Sequence, residues 1–297
     1  MESPRSATPA RLHGPVLAWY DAAARDLPWR RPETTPWGVL VSEIMLQQTP
    51  VARVLPVWES WMEAWPLPAD LVAAGAGEAV RAWGRLGYPR RALRLHAAAA
   101  AIVEQHGGEV PTEHDVLLAL PGIGDYTAAA VASFAFGQRH AVLDTNVRRV
   151  FARVVGGREH PGASVTRAER EVAVGLLPSE DAVAATWSVA VMELGALVCT
   201  AAHPRCDACP VRDLCCWRAA GYPAYDGPAR RGQSYAGTDR QCRGRLLAVL
   251  REDPGPIHRS RLDATWHDEA QRVRCLAGLV DDGLAVQVAD DVYALPD

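Results

Sequence analysis

Four cysteines occupy one span of the chain, Cys199-TAAHPR-Cys206-DA-Cys209-PVRDL-Cys215, with gaps of six, two and five residues. Thiolates are soft ligands that select zinc or iron–sulfur clusters over hard cations. Zinc sites more often use two short chelating pairs, and here only Cys206 and Cys209 form one. The wide first gap and the five-residue last gap suit a cubane cluster held in a loop.

With 297 residues, the chain can bury one large core or two smaller ones. Apolar residues make up 49% and charged residues 22%, which predicts a soluble globular protein. No apolar run is long enough to cross a bilayer, and the first residues lack the apolar stretch of a secretory signal. The expected location is therefore the cytoplasm, close to the nucleoid in a bacterium. Seven cysteines, four of them clustered, fit a reducing compartment better than a disulfide framework. Cys216, Cys242 and Cys275 read as buried small hydrophobes. The net charge of −4 does not by itself favour a nucleic-acid partner. Residues 237–297 hold 8 arginines against 11 carboxylates, so −3 of that charge sits there and −1 in the rest. A near-neutral core can still present a local basic groove. All 31 basic residues are arginine, so any mechanism that needs a lysine Schiff base is excluded.

Residues 1–10 read as a disordered tail. Helical patterning follows: PVLAWYDAAARD up to a turn at Leu27-Pro28-Trp29, then a helix from Pro36 through VLVSEIMLQQ. Thr49-Pro50 reads as a cap with proline at the first helical position. The next helix puts Val51, Val54, Leu55, Trp58, Trp61 and Met62 on one face. Further helices are predicted at 69–74, 77–86, 89–106, 113–119, 125–136, 145–155, 165–176 and 181–198. Strand-like alternation is absent here, so the core reads as all-α with short loops. Residues 218–236, rich in Gly, Pro and Arg, read as a linker. Beyond it RGRLLAVLRE, RSRLDATW and HDEAQRVRCLAGLVDDG predict three helices, the last with Ala270, Val273, Leu276 and Val280 in register. LAVQVADDVYALP alternates like a hairpin. The expectation is an all-α core over 11–217 and a small α+β winged-helix-like module over 237–297.

Three segments carry candidate chemistry. Leu120-Pro-Gly-Ile-Gly124 lies between helices; Gly122 and Gly124 permit a tight turn and leave N–H groups free at the mouth of the next helix. That is a site for an anion such as a DNA phosphate, or simply a turn. Asp144, in AVLDTNVRR, is placed to cap the helix that follows, and a helix N-terminus favours its ionised form. Glu43 sits in VSEIMLQQT near the end of an apolar helix. Facing a cleft, its pKa would rise above about 4.3 and make it a proton donor.

The motifs occur in a telling order: LPWR ending at Arg30, SEIMLQQT ending at Thr49, LGY ending at Tyr88, LPGIG ending at Gly124, Leu143-Asp144 with Asn146, and ELGALVC ending at Cys199. This set resembles the helix–hairpin–helix DNA glycosylases with an iron–sulfur loop, and within them the MutY-type adenine glycosylases. The resemblance runs from about Trp19 to Cys215. It implies a six-helix barrel over 36–142 with its hairpin at 120–124, and a cluster-bearing helical domain built from 11–35 and 143–217. It implies excision of adenine mispaired with 8-oxoguanine, or with guanine, from double-stranded DNA by base excision. The base must first be flipped out of the duplex. Glu43 matches the acid that protonates adenine, and Asp144 the carboxylate that stabilises the sugar cation, as in other glycoside cleavage. Tyr126 and Asn146 match groups that position this pair. Arg25, Trp29, Arg30 and Leu46 would line the base pocket. Gln47 would wedge into the stack, while Gln48, Thr49 and Tyr88 would contact the orphaned base. Gly122 and Gly124 would hold phosphate, and Cys199, Cys206, Cys209 and Cys215 a 4Fe–4S cluster, with Arg205 and Arg212 of that loop on phosphate. A monomer without membrane partners is expected.

The lyase-active sister family carries a lysine where this chain has Tyr126, so the resemblance implies a monofunctional enzyme that leaves an abasic site. Three departures stand out. Val189 replaces a residue that reads the adenine edge, and Thr145 replaces a glycine, which would shift the local backbone. The family's larger C-terminal domain is replaced by a tail of about sixty residues. A mismatch thymine glycosylase is the alternative enzyme, since relatives of that type also carry tyrosine at this position. A damage sensor that binds without cutting is the non-enzymatic alternative, against which Glu43 and Asp144 argue.

Overall fold

Alanine-rich runs and apolar residues at three- and four-residue spacing dictate helix along most of the chain. The computed structural model describes residues 8–227 and 235–297. Its helices are α1 (Pro9–Ala23), α2 (Pro36–Leu46), α3 (Val51–Ala64), α4 (Pro68–Ala74), α5 (Ala76–Trp83), α6 (Arg90–His106), α7 (His114–Ala119), α8 (Asp125–Phe136), α9 (Thr145–Val154), α10 (Arg167–Gly175), α11 (Asp181–Leu197) and the short α12 (Cys216–Ala219). Then come α13 (Asp239–Glu252), β1 (Ile257–His258), α14 (Arg259–Asp263), α15 (Glu269–Asp281), β2 (Val286–Ala289) and β3 (Val292–Ala294). The fold class is as predicted, a helical glycosylase-type core with a small C-terminal sheet. None of the described helices is long and apolar enough to cross a membrane.

Local corrections have local causes. Of the predicted tail, residues 1–7 lie outside the described residues, and α1 already begins at Pro9. Pro15 lies inside α1, removing one backbone bond without ending the helix. Thr49 does not cap α3; Pro50 is its N-cap residue, and the Thr49 hydroxyl is engaged by Arg91 and by the Leu86 carbonyl. Of the linker predicted over 218–236, residues 228–234 lie outside the described residues. Its first part is anchored: Trp217 Nε1 donates to the Pro223 carbonyl at 2.8 Å, and the Tyr225 amide to Glu159 Oε2 at 2.7 Å.

The chain divides into two compact units. The first comprises Met1–Val39, Thr112–Leu118 and Gly124–Ala229. Its core gathers Leu12 and Val16 of α1, Val147, Val150 and Val154 of α9, and Trp187, Val191 and Leu194 of α11. Gly195 lets α11 approach α9, because a Cβ there would lie 2.7 Å from the Asn146 side chain. The second comprises Leu40–Pro111, Ala119–Ile123 and Arg230–Asp297. In it α4 and α5 pack on the small residues Ala92, Ala98 and Ala99 of α6. Trp61 and Trp83 meet edge to face, with centroids 5.7 Å apart.

The C-terminal residues belong to this second unit. β3 lies between β1 and β2, all antiparallel, with Tyr293 opposite both Ile257 and Gln287. Three helices with a hairpin were predicted, and β1 adds a third strand at the edge. The inward face of α15 differs from prediction: Cys275, Leu276 and Leu279 are buried, while Val273 is 43% exposed. Cys275 meets the buried Cys242 of α13. The module is clamped to α5. Arg81 Nη1 donates to the carbonyls of Arg251 and Asp253. Arg251 Nε donates to Val80 O at 2.8 Å and its Nη1 to Gly84 O at 2.5 Å. Arg90 pairs with Asp282 at 3.1 Å. Gly77 has no Cβ, which the Pro296 carbonyl would strike. Most of the module's other arginines face its own acids: Arg243 with Asp282, Arg261 with Asp253, Arg272 with Asp263 and Arg274 with Asp239.

Candidate active site

In the first unit, Asp144 caps α9. Its Oδ1 accepts from the Val147 amide at 2.6 Å and its Oδ2 from Asn146 Nδ2 at 2.7 Å. Burial pushes the Asp144 carboxyl above its usual value; the Val147 and Asn146 donors pull it back without cancelling that. The expected effect of the helix N-terminus is thus present but outweighed. Asn146 is itself held, its Oδ1 accepting from Arg149 Nη2 at 2.8 Å. Arg149 also donates to Gly195 O at 2.7 Å and Cys199 O at 2.8 Å, so one arginine ties α9 to α11 and to the first cysteine. Asp144 has φ −84°, and Thr145 opens α9 without a positive φ. Tyr126, in the first turn of α8, packs against Ala129, Ala130 and Val142.

Arg25 and Arg30 converge on a residue that the sequence reading missed. Glu193 of α11 is fully buried. Its Oε1 accepts from Arg25 Nε at 2.7 Å and from the Arg25 amide at 3.1 Å, and its Oε2 from Arg25 Nη2 at 2.7 Å and Arg30 Nη2 at 2.8 Å. Burial alone would push this carboxyl up, but the arginine bonds and charge outweigh it and hold it at about 2. Arg30 Nη1 is buried without an acceptor among the described residues. Trp29 is buried beside them in a single 3₁₀ turn, Pro28–Arg30. Val189 is partly buried on the same helix, α11.

Of the second unit's candidates, Glu43 lies on α2 with only 4% of its surface exposed. Leu46 ends that helix, and Gln47, Gln48 and Thr49 form the turn after it. Gln48 has φ +55° and Tyr88 φ +47°, and Tyr88 is 52% exposed. Gly122 is required twice over, by φ +75° and because a Cβ would strike the Arg94 side chain. Gly124, which belongs to the first unit and is the N-cap of α8, has φ −110° and needs no glycine conformation; nothing lies within 4 Å of where its Cβ would be.

Cys199, Cys206, Cys209 and Cys215 line one cavity in the first unit, together with Val150, Leu194, Arg153 and Trp217. Among the described residues no three His, Cys, Asp or Glu side chains are grouped to hold a single ion. Arg153, 1% exposed, donates to Cys199 Sγ at 3.4 Å and to Thr200 O at 2.7 Å, and its guanidinium lies 4.6 Å from the Trp217 ring centroid. Burial pushes the Cys209 thiol up to about 12, the other three sulfurs adding to the rise. Arg205 is exposed, and its Nε donates to Leu197 O at 3.1 Å at the end of α11.

A helical core, a glycine hairpin ahead of a helix and a half-buried carboxylate capping the next one define the helix–hairpin–helix class of base-excision DNA glycosylases. The chain matches the HhH-GPD superfamily base excision DNA repair protein family over residues 41–175, which include Glu43, the hairpin and Asp144. It is 54% identical over 283 residues to the adenine DNA glycosylase of Mycobacterium tuberculosis, covering 95% of this chain and 92% of that protein. It is 42% identical to the adenine DNA glycosylase of Homo sapiens, covering 69% of this chain and 39% of that one. Among solved structures, a thermostable thymine-DNA glycosylase superposes with TM-score 0.64 at 27% identity, over 71% of this chain and 97% of its own. The chain belongs to the MutY-type adenine DNA glycosylases. The mycobacterial alignment is too long to omit the C-terminal module, so that tail is shared within a branch of the family.

Proposed function

We propose that this glycosylase hydrolyses the N-glycosidic bond of adenine opposite 8-oxoguanine, and opposite guanine, in duplex DNA and leaves an abasic site. The observation that carries the reading is Asp144: a half-buried carboxylate at a helix start, aligned on both oxygens by Val147 and Asn146. Adenine is a poor leaving group, so Glu43, buried on α2, protonates its N7. The C1′–N9 bond then breaks, adenine leaves with the bond pair, and positive charge develops on the sugar. Asp144 stabilises that cation. Water adds to C1′ and loses its proton, completing hydrolysis. With no lysine in the chain, the abasic sugar is not opened through a lysine imine. The buried, unpaired Arg30 Nη1 is a donor available to the flipped base.

The four cysteines fit a 4Fe–4S cluster. They line one cavity, and burial raises the Cys209 and Cys215 thiols, which a cationic cluster would reverse. Cys199, Cys206, Cys209 and Cys215 would hold it. When bound it supplies a cross-link that fixes the loop, and Arg153 and Arg149 tie that loop to α9.

A mismatch thymine glycosylase is the second reading, supported by the structural likeness to one. The deciding experiment incubates the protein with duplexes holding A·8-oxoG, A·G or T·G, followed by alkali. Alkali-dependent cleavage at adenine is expected. Release of thymine and not adenine establishes the second reading, and cleavage without alkali refutes the monofunctional assignment.

A further inference from the structure

Two turns of the second unit end on one buried guanidinium. Arg91, in the first turn of α6, is 6% exposed. Its Nη1 donates to the carbonyls of Ile44 at 2.8 Å, Met45 at 3.1 Å and Gln47 at 2.6 Å. Its Nη2 donates to Thr49 Oγ1 at 2.9 Å and to the Gly87 carbonyl at 3.0 Å. The Ile44 and Met45 carbonyls belong to the last turn of α2, which has no helical partners to offer them, and a cation there complements the helix dipole. The guanidinium also lies 5.1 Å from the Trp83 ring centroid and 5.6 Å from that of Tyr88.

Each turn carries a strained residue. Gln48 and Tyr88 both occupy the left-handed region, which side chains other than Gly, Asn and Asp avoid. Such residues persist where their surroundings over-determine the backbone. Arg91 bonds the residues on both sides of Gln48 and the one before Tyr88. Its acceptors are neutral oxygens, so it acts through the geometry of its fork, which an ammonium cannot reproduce.

We infer that Arg91 is a positioning residue that sets selectivity for the base opposite the excised adenine, by locking Gln48, Thr49 and Tyr88 into one arrangement. The inference rests on the adenine-excision reading above and adds to it a residue outside the contacting set. Loss of Arg91 frees the two turns to relax independently, and the complementary surface for 8-oxoguanine is lost with them.

The test compares wild type, Arg91→Met and Arg91→Lys in single-turnover excision of adenine opposite 8-oxoguanine and opposite guanine, with thermal midpoints measured in parallel. Wild type is expected to favour 8-oxoguanine. Arg91→Met should lower that rate ratio by about tenfold or more, and its midpoint should fall. Arg91→Lys should recover most of the midpoint, because one ammonium can still cap α2, but not the ratio, because it cannot span both turns. A wild-type ratio in either variant, or its recovery by lysine together with the midpoint, overturns the inference. If Arg91→Met does not fold, Arg91→Lys carries the test alone. A wild-type enzyme that releases no adenine from either duplex refutes the parent reading as well, a result distinct from unchanged selectivity in the variants.

Discussion

Two buried charges, one in each unit, are held in opposite ways. The first unit buries an anion, Glu193, and surrounds it with two arginines. The second buries a cation, Arg91, and surrounds it with carbonyls and a hydroxyl. In the first, a strong field outweighs desolvation and the acid is held at about 2. In the second, desolvation dominates and Arg91 falls to about 10, still far above neutrality. Opposite charges make a site that responds to pH and can offer a spare donor such as Arg30 Nη1. Backbone dipoles make a site that is rigid and indifferent to pH. The first suits holding a ligand, the second suits holding a loop.

The largest test of this contrast is at Asp144, a half-buried acid of the first unit. Asp144→Asn should lower single-turnover adenine excision by about 10²–10⁴-fold. Its thermal midpoint should fall only modestly, since the amide keeps the Val147 cap but turns an N–H toward Asn146 Nδ2. A large fall in midpoint with excision intact would reverse the assignment. Next come the partners of Glu193. Arg25→Met leaves a fully buried anion with Arg30 and one backbone amide, and should cost toward the low end of about 3–5 kcal/mol in urea unfolding. Glu193→Gln should cost less, about 1–3 kcal/mol, because Arg25 and Arg30 are partly exposed and can rehydrate. Equal losses would show that the two sides are not asymmetric.

The smallest effect is on pH dependence. Glu193 titrates near 4.5 when unfolded and near 2 when folded, so the unfolded chain takes up its proton first as pH falls. Its contribution is therefore fully present above about 4.5 and lost between there and about 2. The stability gap between wild type and Glu193→Gln should narrow from pH 5.5 to pH 3. Arg91 titrates outside that range, so the gap between wild type and Arg91→Lys should stay constant.

Much of the proposed catalytic set lies in short contiguous motifs and so could be named from the sequence. Asp144 with Asn146 is visible as a cap, and Glu43 as an acid in an apolar helix. Glu193 carried the same signal: an acid inside the apolar run AVMELGALV, with Arg25 and Arg30 available as partners. Arg91, Arg149 and Arg153 left no such trace. They stand in RR and RRVFAR stretches that read as surface charge, yet all three are buried. Their acceptors are mostly backbone carbonyls, which every residue possesses, so no partner is marked in the sequence. The same blindness assigned Thr49 to a cap: its hydroxyl is used by Arg91, 42 positions away. The face of α15 was misjudged because Val273 fits the helical period but lies off the contact with Cys242.

The clamp between Arg81, Arg251 and α5 has a practical corollary. Contacts to DNA phosphate weaken steeply with added salt, because they release condensed counterions. A guanidinium buried against carbonyls has no counterion to lose and is screened far less. Washing the protein in strong brine should strip bound nucleic acid while the C-terminal module stays seated. The preparation recovered would be clean of DNA and still whole.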